Sequence, residues 1–104
     1  MQIQINTDNN VSFGEKQMDY SISIITKELQ RFAQHITRIE VHLTDENGSK
    51  DGPNDKRCVM EARPEGLKPI AVTEQSDTLE KAITGAIDKL KSSLDSTLGR
   101  LKEH

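Results

Sequence analysis

The spacing of apolar residues predicts an α+β fold, a two-layer β-α-β-β-β-α sandwich. A four-stranded mixed sheet carries both helices on one of its faces. Three observations predict it. Four short stretches alternate apolar and polar residues, the period of a half-buried strand, and two longer stretches repeat apolar residues every three or four, the period of a helix. Each strand is apolar on one side only, so both helices must cover the same side, leaving the other to water or a partner.

Residues 1–6 alternate, with Ile3 and Ile5 on one side and Gln2, Gln4 and Asn6 on the other, and Asp8, Asn9 and Asn10 supply turn chemistry. Over residues 15–34 the period changes. Met18, Ile22, Ile25, Leu29, Phe32 and Ile36 form one stripe, Lys16, Asp19, Lys27, Glu28 and Arg31 the solvated side, and Tyr20 and Ile24 widen the apolar face. Residues 38–44 form a second strand with Ile39, Val41 and Leu43 inward. The polar stretch 45–55 is a loop. Residues 56–63 form a third strand with Cys58, Met60 and Ala62 inward, and residues 64–66 turn the chain. Residues 67–74 form a fourth strand with Ile70 and Val72 inward. Pro69, which lacks a ladder donor, marks a sheet edge or a strand that begins after it.

The last element starts with Asp77 as cap and Glu80 three residues on. Leu79, Ile83, Ala86, Ile87, Leu90, Leu94, Leu98 and Leu101 then make a long helical stripe, with the small Gly85 where the helix approaches another element. The helix between the first two strands makes them parallel through a right-handed crossover, and the last three strands are antiparallel neighbours.

With 104 residues the chain suits one domain, 1–104, with a single core. One cysteine, Cys58, allows no intramolecular disulfide and fits a reducing compartment. No stretch has the form of a signal peptide or approaches the roughly 18 apolar residues of a membrane span, so a cytoplasmic location is expected, with no membrane partner. The formal charge of −3 argues against a non-specific nucleic-acid coat. Its distribution is uneven. Residues 1–55 carry five basic and nine acidic side chains, whereas residues 56–104 carry nine and eight. The later strands and the last helix therefore make a candidate phosphate-facing surface, interrupted by acids, in which Lys91 and Asp95 are spaced as an i,i+4 ion pair.

On the open sheet face, Arg38, Glu40, His42, Arg57, Glu61 and Arg63 form either a polar docking surface or a solvated face tied by cross-strand pairs. One hairpin register sets Glu40 opposite Glu61 and Arg38 opposite Arg63. Like charges repel there, so a register shifted by two is expected, with His42 opposite Arg57 or Glu61. His42 and Cys58 point to opposite faces and make no nucleophile–base pair. Asp45, Asn47, Ser49 and Asp51 alternate like calcium ligands, but Lys50 and Lys56 occupy the positions where such a loop needs glycine and an acid. No phosphate-cradling glycine loop, zinc spacing or nucleophile elbow is present, so neither an enzyme, a small-molecule substrate nor a cofactor is expected.

The element order, the opening MQIQINTDNNV and the ending DTLEKAITGAIDKLKSSLDSTLGRLKEH resemble the short ribosome-hibernation promoting factors over the whole chain. With the ribosome-associated inhibitors, those factors form the family also described as sigma-factor modulation proteins. The strongest local match is Ala82, Ile83, Ile87, Asp88, Lys89 and Leu90. The stretches RIEVHLTDENG, DKRCVMEARPEG and PIAVTEQ are similar to an acidic bacterial subgroup.

The resemblance implies a fold like the double-stranded-RNA-binding domain. It also implies a stress factor that binds the small ribosomal subunit, through ribosomal RNA and ribosomal proteins, and inhibits translation. Matching positions for RNA contact are Arg57, Arg63, Lys81, Lys89, Lys91, Arg100 and Lys102. Two stretches depart from the family pattern: 93–99 contains Asp95 and no lysine, and the loop 45–55 is acidic. Without the long forms' C-terminal dimerisation domain, the chain is not expected to pair ribosomes by that route. A protein-binding module using Glu40, His42, Arg57 and Glu61 is the rival reading.

Overall fold

A computed structural model describes residues 1–9, 11–46 and 55–102, with only the backbone of 100–102. Four strands, β1 (Gln2–Thr7), β2 (Ile36–Asp45), β3 (Lys56–Pro64) and β4 (Ile70–Ser76), and two helices, α1 (Glu15–Glu28) and α2 (Leu79–Lys102), follow the predicted order. The sheet order is β1-β2-β3-β4, with β1 parallel to β2 and the other pairs antiparallel. The α+β class, the mixed sheet and the sharing of one sheet face by both helices are as expected.

One core joins the two layers. Ile39, Val41 and Leu43 of β2 and Cys58, Met60 and Ala62 of β3 are fully buried under Ile25 of α1, Leu29 just after it, and Ala82, Ala86, Leu90 and Leu94 of α2. No helix among the described residues is long and apolar enough to cross a membrane.

Three local expectations are corrected. The first helix ends at Glu28, a 3-10 segment occupies Gln30–His35, and Ile36 opens β2. Leu29 and Phe32 are three apart, which suits the three-residue period of a 3-10 turn, and Phe32 N donates to Leu29 O at 2.9 Å. The β-branched Ile36 and Thr37 then favour extended backbone. Ile36 still reaches the core, because a bulge between Ile36 and Arg38 restores the inward direction that alternation from Ile39 would deny it.

Second, Thr78, not Asp77, caps α2: its Oγ1 accepts from Lys81 N at 3.1 Å. Asp77 instead pairs with Lys81 Nζ at 3.3 Å, and Glu80 accepts from Gln17 Nε2 of α1 at 3.3 Å. Third, the fourth strand spans Ile70–Ser76 rather than 67–74; it begins after Pro69 and is an edge strand, as the proline suggests. The turn before it places Gly66 at φ 75°, a conformation glycine adopts without cost. Inward alternation along β4 brings Glu74 beneath α2, where a methyl group on Gly85 would overlap the Glu74 carboxylate. Gly85 is thus the point of close approach, and α2 meets β4 there.

Candidate nucleic-acid interface

The open sheet face is built in rows across the strands. Gln2, Arg38 and Arg63 form the first row, Gln4, Glu40, Glu61 and Ala71 the second, and Asn6, His42, Val59 and Thr73 the third. Thr44, Arg57 and Gln75 follow. The register is thus the like-charge one, and the expected shift by two does not occur. His42 faces Val59 rather than Arg57 or Glu61. The inner face decides this, because it aligns Ile39 with Ala62, Val41 with Met60 and Leu43 with Cys58.

A two-residue slip would keep every side chain on its face but uncouple these core pairs from the hairpin ends. On the outer face the repulsion is relieved along and across the strands. Arg38 pairs with Glu40 and donates to Gln4, and Arg63 Nε donates to Glu61 at 3.0 Å while its Nη2 lies 3.8 Å from Glu40. The hydrogen bond to Glu61, and the charges of Glu61 and Glu40, hold the Arg63 proton still more firmly.

At the far end of the face, Arg57 Nη1 lies 3.4 Å from Glu46, whose other oxygen accepts from Gln75 at 3.1 Å. On the inner side of that end, Lys56 Nζ bridges the buried carboxylates of Asp45 at 3.1 Å and Asp55 at 3.0 Å. The Lys56 hydrogen bond holds Asp55 below the usual carboxylate range and raises Lys56 in turn. Asp45 thus has a cation for partner. Asn47, Ser49 and Asp51, the remainder of the alternating oxygen pattern, lie outside the described residues.

His42 is exposed on the open face, whereas Cys58 is buried beneath the helices, as their alternation predicts. Burial, aided by the Glu74 carboxylate, pushes the Cys58 thiol up to about 12, so it is neutral and unreactive at ordinary pH.

The proposed RNA-contacting residues do not form one patch. Arg57 and Arg63 lie on the open face, and Lys81, Lys89 and Lys91 on α2 beyond the other side of the sheet. Lys89 and Lys91 flank α2 from opposite edges. Lys89 Nζ lies 3.0 Å from Glu74 of β4 and donates to Thr73 O at 2.8 Å, whereas Lys91 Nζ lies 3.7 Å from Glu28 of α1. The expected Lys91–Asp95 pair is replaced by interhelical ones, because Asp95 accepts from Arg31 Nη2 at 2.8 Å. The Arg31 guanidinium also lies 4.5 Å from the Phe32 ring centre, a cation–π contact. The side chains of Arg100 and Lys102 lie outside the described residues.

Every described residue of the RNA-contact set therefore already faces a carboxylate. Among the described residues, the lysines without one are Lys16, Lys27 and Lys68, none of which belongs to the RNA-contact set; Lys68 belongs only to the wider basic surface of the later strands. Tyr20 is the second omission: it is 64% exposed, although the width of the apolar stripe suggested burial. The signal was present in the sequence as helical spacing, but occupancy by carboxylates depends on tertiary placement.

The fold has solved counterparts. The ribosomal subunit interface protein from Coxiella burnetii superposes with a TM-score of 0.75 at 18% identity, over 95% of this chain and 99% of that one. The N-terminal domain of Thermus thermophilus Protein Y gives 0.72 at 20% identity, over 93% and 99%. At these identities the likeness is one of fold. Comparison with curated proteins finds no match. The sequence model of one family, however, matches residues 3–102, nearly the whole chain. The chain therefore belongs to the sigma 54 modulation protein / S30EA ribosomal protein family, the hibernation-factor family that its opening and closing segments resemble.

Proposed function

We propose that this chain is a non-catalytic, ribosome-associated stress factor of the cytoplasm, acting as one domain over 1–104. It binds the small ribosomal subunit and inhibits translation. The observation that carries this reading is the family match over residues 3–102. The ribosomal subunit interface protein of the same fold supports it. Contact with ribosomal RNA falls to Arg57, Arg63, Lys81, Lys89, Lys91, Arg100 and Lys102, and the five described side chains must exchange a carboxylate for a phosphate to make it. Binding is therefore expected to be salt-sensitive, since each phosphate contact releases counterions. Co-sedimentation of the purified protein with small subunits at low and physiological salt tests this. Saturable binding lost on changing Lys89, Lys91 and Arg100 to Glu supports the reading, and unchanged affinity overturns it.

A second reading is favoured by the open sheet face, where an arginine row lies directly beside a glutamate row. Such alternation suits a protein surface of matching charge better than a uniform phosphate array. A protein-binding module centred on Glu40, His42, Arg57 and Glu61 would retain its partner in nuclease-treated lysate and lose it on substitution of that face. Failure to retain any protein removes this reading.

A further inference from the structure

The outer surface of α1 carries a stripe that the ribosome-binding assignments leave unused. Lys16, Tyr20, Ser23 and Lys27 are spaced i, i+4, i+7 and i+11, which places them within about 60° of one another around a helix. All four are exposed. Neither lysine has a carboxylate partner among the described residues, in contrast to Lys81, Lys89 and Lys91. Around the helix from Tyr20, Glu28 lies about 80°, Asp19 about 100° and Glu15 about 140° away. Glu28 is taken up by Lys91.

Tyr20 also stands at the rim of a shallow cleft between α1 and α2, lined by Ser21, Ile24, Glu80, Ile83 and Thr84. Glu80 has one oxygen engaged by Gln17, leaving the other for a donor. The ring, 64% exposed, stands between the two lysines, about 6 Å from Lys16 and about 10 Å from Lys27 along the axis, and its exposure leaves its face open to a ligand.

We propose that this stripe is a binding site for single-stranded RNA, in which one unpaired base stacks on Tyr20 while Lys16 and Lys27 contact the flanking phosphates. A base has a π-face whatever its identity, so the site is tolerant of sequence but requires an unstacked base and discriminates against duplex. The cleft beside the ring offers space for the base, and Glu80 an acceptor for its exocyclic amine. The inference takes its class of ligand from the ribosome reading, but the site is tested apart from ribosomes.

The chain contains one tyrosine and no tryptophan, so its intrinsic emission reports on this ring alone. Titrating the full chain with a 12-nucleotide single-stranded oligoadenylate, and with the same strand in duplex, reads binding and stacking together. Expected is quenching by the single strand and little by the duplex. Tyr20→Ala should weaken single-strand affinity about tenfold and Tyr20→Phe should retain it, each measured by anisotropy of a labelled oligonucleotide. Lys16→Glu with Lys27→Glu should lower the dependence of log affinity on log salt by about 1.4.

Unchanged affinity in Tyr20→Ala, or binding without quenching, overturns the proposal and leaves the ring to a protein contact. Oligonucleotide binding with quenching, in a protein that does not sediment with small subunits, upholds the stacking site and sinks the ribosome reading. Sedimentation without Tyr20 dependence in the oligonucleotide assay does the reverse.

Discussion

Lys89 and Lys91 on α2 and Lys16 and Lys27 on α1 carry the same charge, yet they differ in what they face. The α2 pair reaches sideways from a helix whose inner face is the core, and each meets a carboxylate of the neighbouring element. The α1 pair stands on the outward side of a helix and meets none among the described residues. A lysine that is already paired gains little from a phosphate, because the carboxylate must be displaced first. A free lysine can neutralise a phosphate and release that phosphate's counterions with no carboxylate to displace. Counting basic residues along a sequence measures charge, whereas binding depends on charge left unoccupied by the fold.

Substitutions can break or sharpen this contrast. The largest effect is expected where α2 faces inward: Leu90→Ala removes a fully buried side chain and should lower stability by about 2–5 kcal/mol in urea unfolding. On the flanks of α2, Lys89→Glu and Lys91→Glu should each lower stability by up to about 1 kcal/mol, because each sets a like charge against Glu74 or Glu28. Lys16→Glu and Lys27→Glu should stay within about 0.5 kcal/mol of the parent, because no fold contact is lost. Equal losses at all four lysines would erase the distinction between the helices.

Titration supplies two further expectations with opposite signs. The folded Cys58 thiol is raised from 9.0 to about 12, so its contribution is complete below about pH 9 and is lost as pH rises toward 12. Alkaline unfolding should therefore begin earlier in the native protein than in Cys58→Ala, relative to each protein's stability at pH 7. Asp55 and Asp77 are held below 3.8 by hydrogen bonds from Lys56 and Lys81. Their contributions are present above about pH 4 and are lost as pH falls through their folded values. The smallest effect is expected from the Asp77 part of this loss, because Asp77 is exposed at the surface whereas Asp55 is buried.

Periodicity made the core legible. Ile39, Val41, Leu43, Cys58, Met60 and Ala62, and the α2 leucines through Leu98, are buried where alternation and helical spacing placed them. Local rules misread what tertiary contacts decide. Ile36 was placed in the core, but on a helix, because a stripe of spacing three and four does not distinguish a helix from a 3-10 turn followed by a bulged strand. The hairpin register was misjudged from its charged face, since three buried pairs outweigh exposed repulsion that neighbouring arginines neutralise. Lys91 and Asp95 have ion-pair spacing, but Glu28 at the end of α1 and Arg31 in the 3-10 segment offer each a different partner. The candidate site was the least legible part, because an ion pair between residues 63 or 64 positions apart leaves no trace in local sequence.

The hydrogen bond from Lys89 to the Thr73 carbonyl has a consequence for how copies of the protein behave in a crowded solution. β4 is an edge strand, and an edge strand with free backbone acceptors templates the addition of another chain. The ammonium group occupies one of those acceptors and sets a positive charge beside the rest. Drawing Lys89 away to a phosphate, or removing its charge by acetylation, uncovers this edge. One lysine would thereby couple the proposed phosphate contact to resistance against aggregation.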